Sequence, residues 1–119
     1  MTTIEYNGKK YELLSTGFLA KVPKKLDPNW VEYVCKEVGI PIISPEHPDW
    51  VYIENVHKYL LKNNGQITEL GAQKASGLDR KMIFDKFGKL MSGLCRMAGA
   101  TECFCRGCGN KTQIWSIHN

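Results

Sequence analysis

Long hydrophobic runs are missing from this sequence: nothing in its 119 residues approaches the ~20 consecutive apolar residues of a membrane-spanning helix. The opening residues also lack the charged, apolar and small-residue order of a secretory leader. The expectation is a soluble, cytoplasmic chain without membrane insertion. A glycine-rich phosphate loop, a nucleophile elbow and a His-Glu-x-x-His helix are absent as well, which disfavours a stand-alone enzyme built on any of those arrangements. There are no repeats and no low-complexity tracts. Charge of one sign is not heavily in excess: the net charge is +4 and the pI about 8.8. Lys9, Lys10, Lys21, Lys24 and Lys25 cluster near the start, but no aromatic-interleaved basic run accompanies them. A solvated face accounts for these lysines, and so does a docking surface for an acidic protein partner; nucleic acid is the weaker partner class.

Cysteine is what the chain does have. Four of its five cysteines fall in one fourteen-residue window, Cys95, Cys103, Cys105 and Cys108. At this length a hydrophobic core closes without disulfides or a metal. In a reducing cytosol, clustered thiols serve catalysis, redox switching or metal binding more often than stapling, and an odd total argues against a closed disulfide framework. A thiol is a nucleophile or a ligand only as thiolate, and neighbouring thiols trap one another or share an ion.

The rest of the chain reads as scaffold. Asn7-Gly8 between two β-prone runs predicts a hairpin over residues 3–14, and Phe18-Leu19-Ala20 beyond the Ser15-Thr16-Gly17 turn predicts a third strand that makes a small meander. Asp27-Pro28 is an N-cap with proline at the first helical position, and Trp30, Val31, Val34, Cys35 and Val38 form one helical face that Gly39 ends. Cys35 lies on that stripe as a small core residue. Ser44-Pro45 opens the longest helix, which carries Trp50, Ile53, Val56, Tyr59, Leu60 and Leu61 until Asn63-Asn64-Gly65. His47 is expected in its first turn and His57 at its middle, both on the surface or half-buried, since neither has a Cys or His at metal-ligand spacing. From Ile67 to Phe87 the pattern is helix, glycine turn, helix; the candidates for base reading on the second helix mix acidic Asp79 and Asp85 with basic Arg80, Lys81 and Lys86. The last helix runs from about Lys89 to Ala98, with Leu90, Met91, Leu94, Cys95 and Ala98 on one face and Gly99 closing it. Cys103, Cys105 and Cys108 then follow on a non-periodic segment expected to move relative to Cys95. Residues 113–118 alternate like a short strand.

The Asn7-Gly8-Lys9 hairpin, the Gly17-Phe18-Leu19 corner, the tryptophan helix, the Glu46-His47 helix start and Cys95-x-x-Ala98-Gly99 leading to Arg106-Gly107-Cys108 carry a resemblance. In these features the chain resembles the DsrC/TusE family of small sulfur-relay proteins, whose members include gamma subunits of dissimilatory sulfite reductase. The cysteine spacing and the eleven residues after Cys108 mark it as a divergent paralogue. The resemblance implies an α+β fold: an N-terminal β-hairpin or small meander packed on about five helices, a helix-turn-helix among them, with a flexible C-terminal cysteine arm. The globular body would span residues 1–99, and the arm and tail residues 100–119. It further implies that Cys108 matches the family's distal cysteine and Cys95 the upstream one. Twelve residues lie between Cys95 and Cys108 and nine between Cys95 and Cys105, so Cys105 stays a rival for the distal role.

On this reading the chain is a sulfur carrier or redox-active protein cosubstrate for a partner complex in sulfur metabolism: a sulfite reductase, a sulfurtransferase or a disulfide reductase. Cys108, Cys95, Cys105 and Cys103 are its candidate reactive residues, and no cofactor or metal is required. Arg106 beside Cys105 and Cys108 would favour the thiolate. Two alternatives stand beside it. Cys103, Cys105 and Cys108 with Cys95 or His118 would make a tetrahedral zinc site, and the same four thiolates would suit an iron–sulfur cluster. The helix-turn-helix would make the chain a thiol- or zinc-dependent regulatory protein. Oligomeric state is open.

Overall fold

Asn7 and Gly8 both hold positive φ, 52° and 79°, so the chain reverses in two residues between β1 (Thr2–Tyr6) and β2 (Lys9–Leu13), as their sequence predicts. The strands pair antiparallel in the register Thr2↔Leu13 to Tyr6↔Lys9. The structure is a computed structural model that describes residues 1–88 and 92–104. Along β2, Tyr11 and Leu13 turn into the core while Lys9, Lys10 and Glu12 stay outside. The expected third strand of the meander shrinks to a single bridge, Leu13↔Leu19. Pro23 has no N–H with which to extend a ladder, and the chain leaves the hairpin there.

Helix α1 (Pro28–Val38) forms as its ends dictate. The Asp27 side chain accepts from the Asn29 N–H, Pro28 occupies the first turn and Gly39 closes the helix in the left-handed region. Its buried stripe is Trp30, Val31, Val34 and Cys35. Helix α2 (Trp50–Lys62) starts later than the Ser44-Pro45 reading expects. Pro48 disfavours helical geometry at the residue before it, which is His47. His47 therefore lies ahead of the helix, its Nδ1 accepting from the Asp49 N–H at 2.9 Å. His57 is buried rather than on the surface, at 6 % exposure; its Nε2–H donates to the Pro23 carbonyl at 2.8 Å.

The expected helix-turn-helix is present. After β3 (Gln66–Thr68) comes α3 (Glu69–Ser76), then a left-handed Gly77 and α4 (Arg80–Phe87), with the Thr68 and Asp79 side chains capping the two N-termini. Helix α5 is described over Ser92–Met97, one residue short of the expected Ala98, which lies in the following turn; residues 89–91 of the predicted span lie outside the described residues. The last described element is β4 (Glu102–Phe104), which pairs parallel with β3 through Gln66↔Glu102, Ile67↔Cys103 and Thr68↔Phe104. The fold is thus α+β, an N-terminal antiparallel hairpin with five helices among the described residues. A single core joins Phe18, Trp30, Ile53, Leu60, Phe87 and Leu94. No helix among the described residues is long and apolar enough to cross a membrane.

Candidate functional site

The thiol region is built from the turn that follows α5. Ala98 and Ala100 are fully buried, and the Ala98, Gly99 and Ala100 N–H groups turn back to the Leu94, Arg96 and Cys95 carbonyls. Gly99 sits at φ 98°, and a Cβ there would come within 2.6 Å of the Pro23 ring. Only glycine combines that backbone with that approach. Pro23 is in turn held by His57. The next step is fixed by Gly65: its carbonyl accepts from the Thr101 and Glu102 N–H groups at 2.9 and 3.2 Å and from the Thr101 hydroxyl at 3.2 Å. A Cβ on Gly65 would meet that hydroxyl at 2.5 Å. Thr101 and Glu102 are thereby seated where β4 begins its ladder with β3.

This geometry brings two of the four candidate cysteines together. Cys95 on α5 and Cys103 on β4 are both fully buried, and their sulfurs lie 3.8 Å apart. The expectation that Cys103 rides on a moving segment is corrected here. It is the central residue of a β-strand, opposite Ile67, because the Gly99 turn and the Gly65 carbonyl fold the chain back onto the body. Cys105, Cys108, Arg106 and His118 lie outside the described residues. Cys35 is a core residue as expected, and burial pushes its thiol pKa up, which keeps it protonated. Among the described residues no three His, Cys, Asp or Glu side chains gather so as to hold a metal.

Three residues not counted among the candidate site residues frame Cys95. The Trp30 indole N–H donates to the Arg96 carbonyl at 2.6 Å. The Arg96 guanidinium packs over the Trp30 ring at 5.9 Å and binds Glu37 at 2.5 Å. Its Nε is buried with no hydrogen-bond partner among the described residues. The helix turn bearing Cys95 is thus fastened on its outer side to α1. The sequence signal was Arg96 beside Cys95, with a tryptophan helix carrying Glu37 two turns beyond Trp30 on the same face. Where the chain leaves β4, Phe104 is 43 % exposed and joins Tyr59, Asn63, Ile67 and Thr68 around a cavity of about 270 Å³. A cavity of about 320 Å³ lies on the hairpin side between Lys9, Lys10, Lys21, Tyr11 and Trp30, and none of the described cysteines lines it. On α4 the cations that were candidates for base reading are engaged: Arg80 with Glu69, Lys81 with Asp85 and Lys86 with Asp49.

Fold and site together define a small α+β thiol protein in which Cys95 and Cys103 meet where α5 turns into β4. No family model matches the chain. It is 34 % identical over 103 residues to the dissimilatory-type sulfite reductase subunit gamma of Nitratidesulfovibrio vulgaris strain Hildenborough, across 83 % of this chain and 92 % of that protein. The solution structure of the Pyrobaculum aerophilum DsrC/gamma subunit of dissimilatory sulfite reductase shares its fold, with a TM-score of 0.61 over 84 % of this chain and 89 % of that one at 23 % identity. The chain belongs to the DsrC family, that of the dissimilatory sulfite reductase gamma subunit.

Proposed function

We propose that this protein is a sulfur carrier that works as a protein cosubstrate of a larger sulfite reductase or sulfurtransferase assembly. The observation that carries the reading is the kinship to a sulfite reductase gamma subunit over nearly that protein's whole length, in a chain with four cysteines within fourteen residues. Cys108, or its rival Cys105, is the accepting thiol. As thiolate it attacks the outer sulfur of a donor persulfide, a new S–S bond forms, and the donor leaves as thiolate. This is exchange at sulfur and needs in-line approach rather than an acid–base pair. The anchored scaffold supports the division of labour, since the Gly99 turn, Gly65 and Trp30 hold the start of the cysteine window against the body.

The test is incubation of the full chain with a persulfide donor followed by cysteine-resolved mass spectrometry. The expected result is one added sulfur on Cys108, lost in Cys108→Ser. An adduct that persists in Cys108→Ser and disappears in Cys105→Ser would move the carrier role to Cys105. No adduct on any cysteine beyond residue 99 would overturn the reading. Copurification from a native extract should bring down the partner assembly.

A further inference from the structure

Cys103 stands where a resolving thiol for Cys95 has to stand. The two sulfurs are 3.8 Å apart, so closing a bond of about 2.05 Å takes a side-chain rotation rather than a rearrangement of the fold. Cys95 is fixed on α5 through the Trp30 and Arg96 contacts. Cys103 is fixed by the β3–β4 ladder and the Gly65 carbonyl. From this geometry we infer that Cys95 and Cys103 are a dithiol that closes to a disulfide, and that its two electrons release the carried sulfur as hydrogen sulfide. The inference rests on the sulfur-carrier reading for its oxidant but not for its geometry.

The step balances. Cys103, as thiolate, attacks the inner sulfur of the persulfide on the carrier cysteine and displaces hydrosulfide, leaving a Cys103–carrier disulfide. Cys95 then attacks the Cys103 sulfur and displaces the carrier thiolate. One persulfide and two thiols become one thiol, one hydrogen sulfide and one disulfide; the two thiol protons end on the released sulfide and the carrier. A low-molecular-weight disulfide does the same chemistry, yielding two thiols in place of sulfide and carrier. Burial of both sulfurs sets the order of events. An oxidant reaches Cys103 only when the three-residue β4 opens, and on reclosing the strand returns the mixed disulfide to Cys95. The pair is therefore shielded from casual oxidation and closes only after an exchange partner has engaged Cys103.

The experiment uses the full chain and glutathione disulfide as probe, with alkylation of the remaining thiols and tryptic mapping. Cleavage after Lys89, Arg96, Arg106 and Lys111 puts Cys95 in peptide 90–96, Cys103 and Cys105 in 97–106, and Cys108 in 107–111. The expected result is a fall from five to three alkylatable thiols and a 90–96 to 97–106 link, which persists in Cys105→Ser and is assigned to Cys103 by fragmentation. A link from 90–96 to 107–111, a link lost in Cys105→Ser, or retention of both thiols after exhaustive oxidation would overturn the inference. Fragmentation of the linked peptide from the wild-type chain assigns the cysteine by itself, so a Cys105→Ser variant that fails to fold leaves the test intact. The two readings separate cleanly. Closure with glutathione disulfide but no sulfur adduct from a persulfide donor sinks the carrier function and leaves the pair. An adduct on the carrier cysteine while Cys95 and Cys103 stay open does the reverse.

Discussion

The two ends of the structure are fastened in different ways. The hairpin is tied to α1 by polar side chains: Asp27 holds Lys9 and Tyr11, each at 2.8 Å, while Glu32 accepts from Tyr6 at 2.7 Å and Asn29 donates to Tyr11 at 2.9 Å. The α5–β4 junction is tied by backbone groups, close packing at Gly65 and Gly99, and buried apolar side chains around the two thiols. The first junction should answer chiefly to pH; the second, where Arg96–Glu37 supplies a carboxylate tie, chiefly to side-chain volume and to oxidation.

Substituting Gly99 should break that contrast most severely. Gly99→Val adds atoms where even a Cβ would sit 2.6 Å from Pro23, at a φ that β-branched residues do not adopt. Strain and overpacking together should cost about 3 kcal/mol, read as a lower urea midpoint. Cys95 and Cys103 should then alkylate faster in the native state, while the hairpin's amide protection changes little. Asp27→Ala removes an N-cap, an ion pair and the acceptor of the Tyr11 hydroxyl. It should cost about 2 kcal/mol and expose the hairpin amides without raising alkylation of Cys103.

The pH responses sharpen the same comparison. Burial works to raise the Asp27 pKa, but Lys9, the Tyr11 hydroxyl and the Asn29 N–H outweigh it and hold the carboxyl below its usual value. A folded-state pKa below the unfolded one gives stability that is present above the unfolded carboxylate pKa and lost as pH falls through the folded value. The acid limb of stability should flatten in Asp27→Asn and persist in Cys103→Ser. At the alkaline end, burial first and Asp27 second push Tyr11 up to about 12. Its contribution is whole below the ordinary tyrosine value and fades as pH rises toward about 12; Tyr11→Phe should remove that fade. The smallest effect is expected at the exposed Lys81–Asp85 pair, where Lys81→Ala should leave the thermal midpoint unchanged within error.

What the sequence made legible was local. Asn7-Gly8 places the hairpin, Asp27-Pro28 and Gly39 bound α1, and Gly77 divides the helix-turn-helix, because each signal acts within a few residues of itself. Pro48 shows the limit of a capping signal read without its neighbours: Ser44-Pro45 looks like a helix start, but the second proline delays the helix to Trp50. What stayed hidden was non-local. The strand partner of Cys103 lies at Ile67, far back in the chain, and three residues are too few for an alternation to declare itself. The burial of His57 likewise depends on a carbonyl contributed by Pro23. For the site, the cysteine window and the anchored Cys95 were legible; the approach of Cys103 to Cys95 needed the fold.

Sulfide release from chain preloaded with a persulfide donor, followed together with thiol mapping, tests the central claim most directly. One sulfide per chain should be released in step with the loss of the Cys95 and Cys103 thiols, and release should be abolished in a folded Cys103→Ser variant that still accepts sulfur. Release at the wild-type rate from Cys103→Ser, or release while both buried thiols remain open, would contradict it.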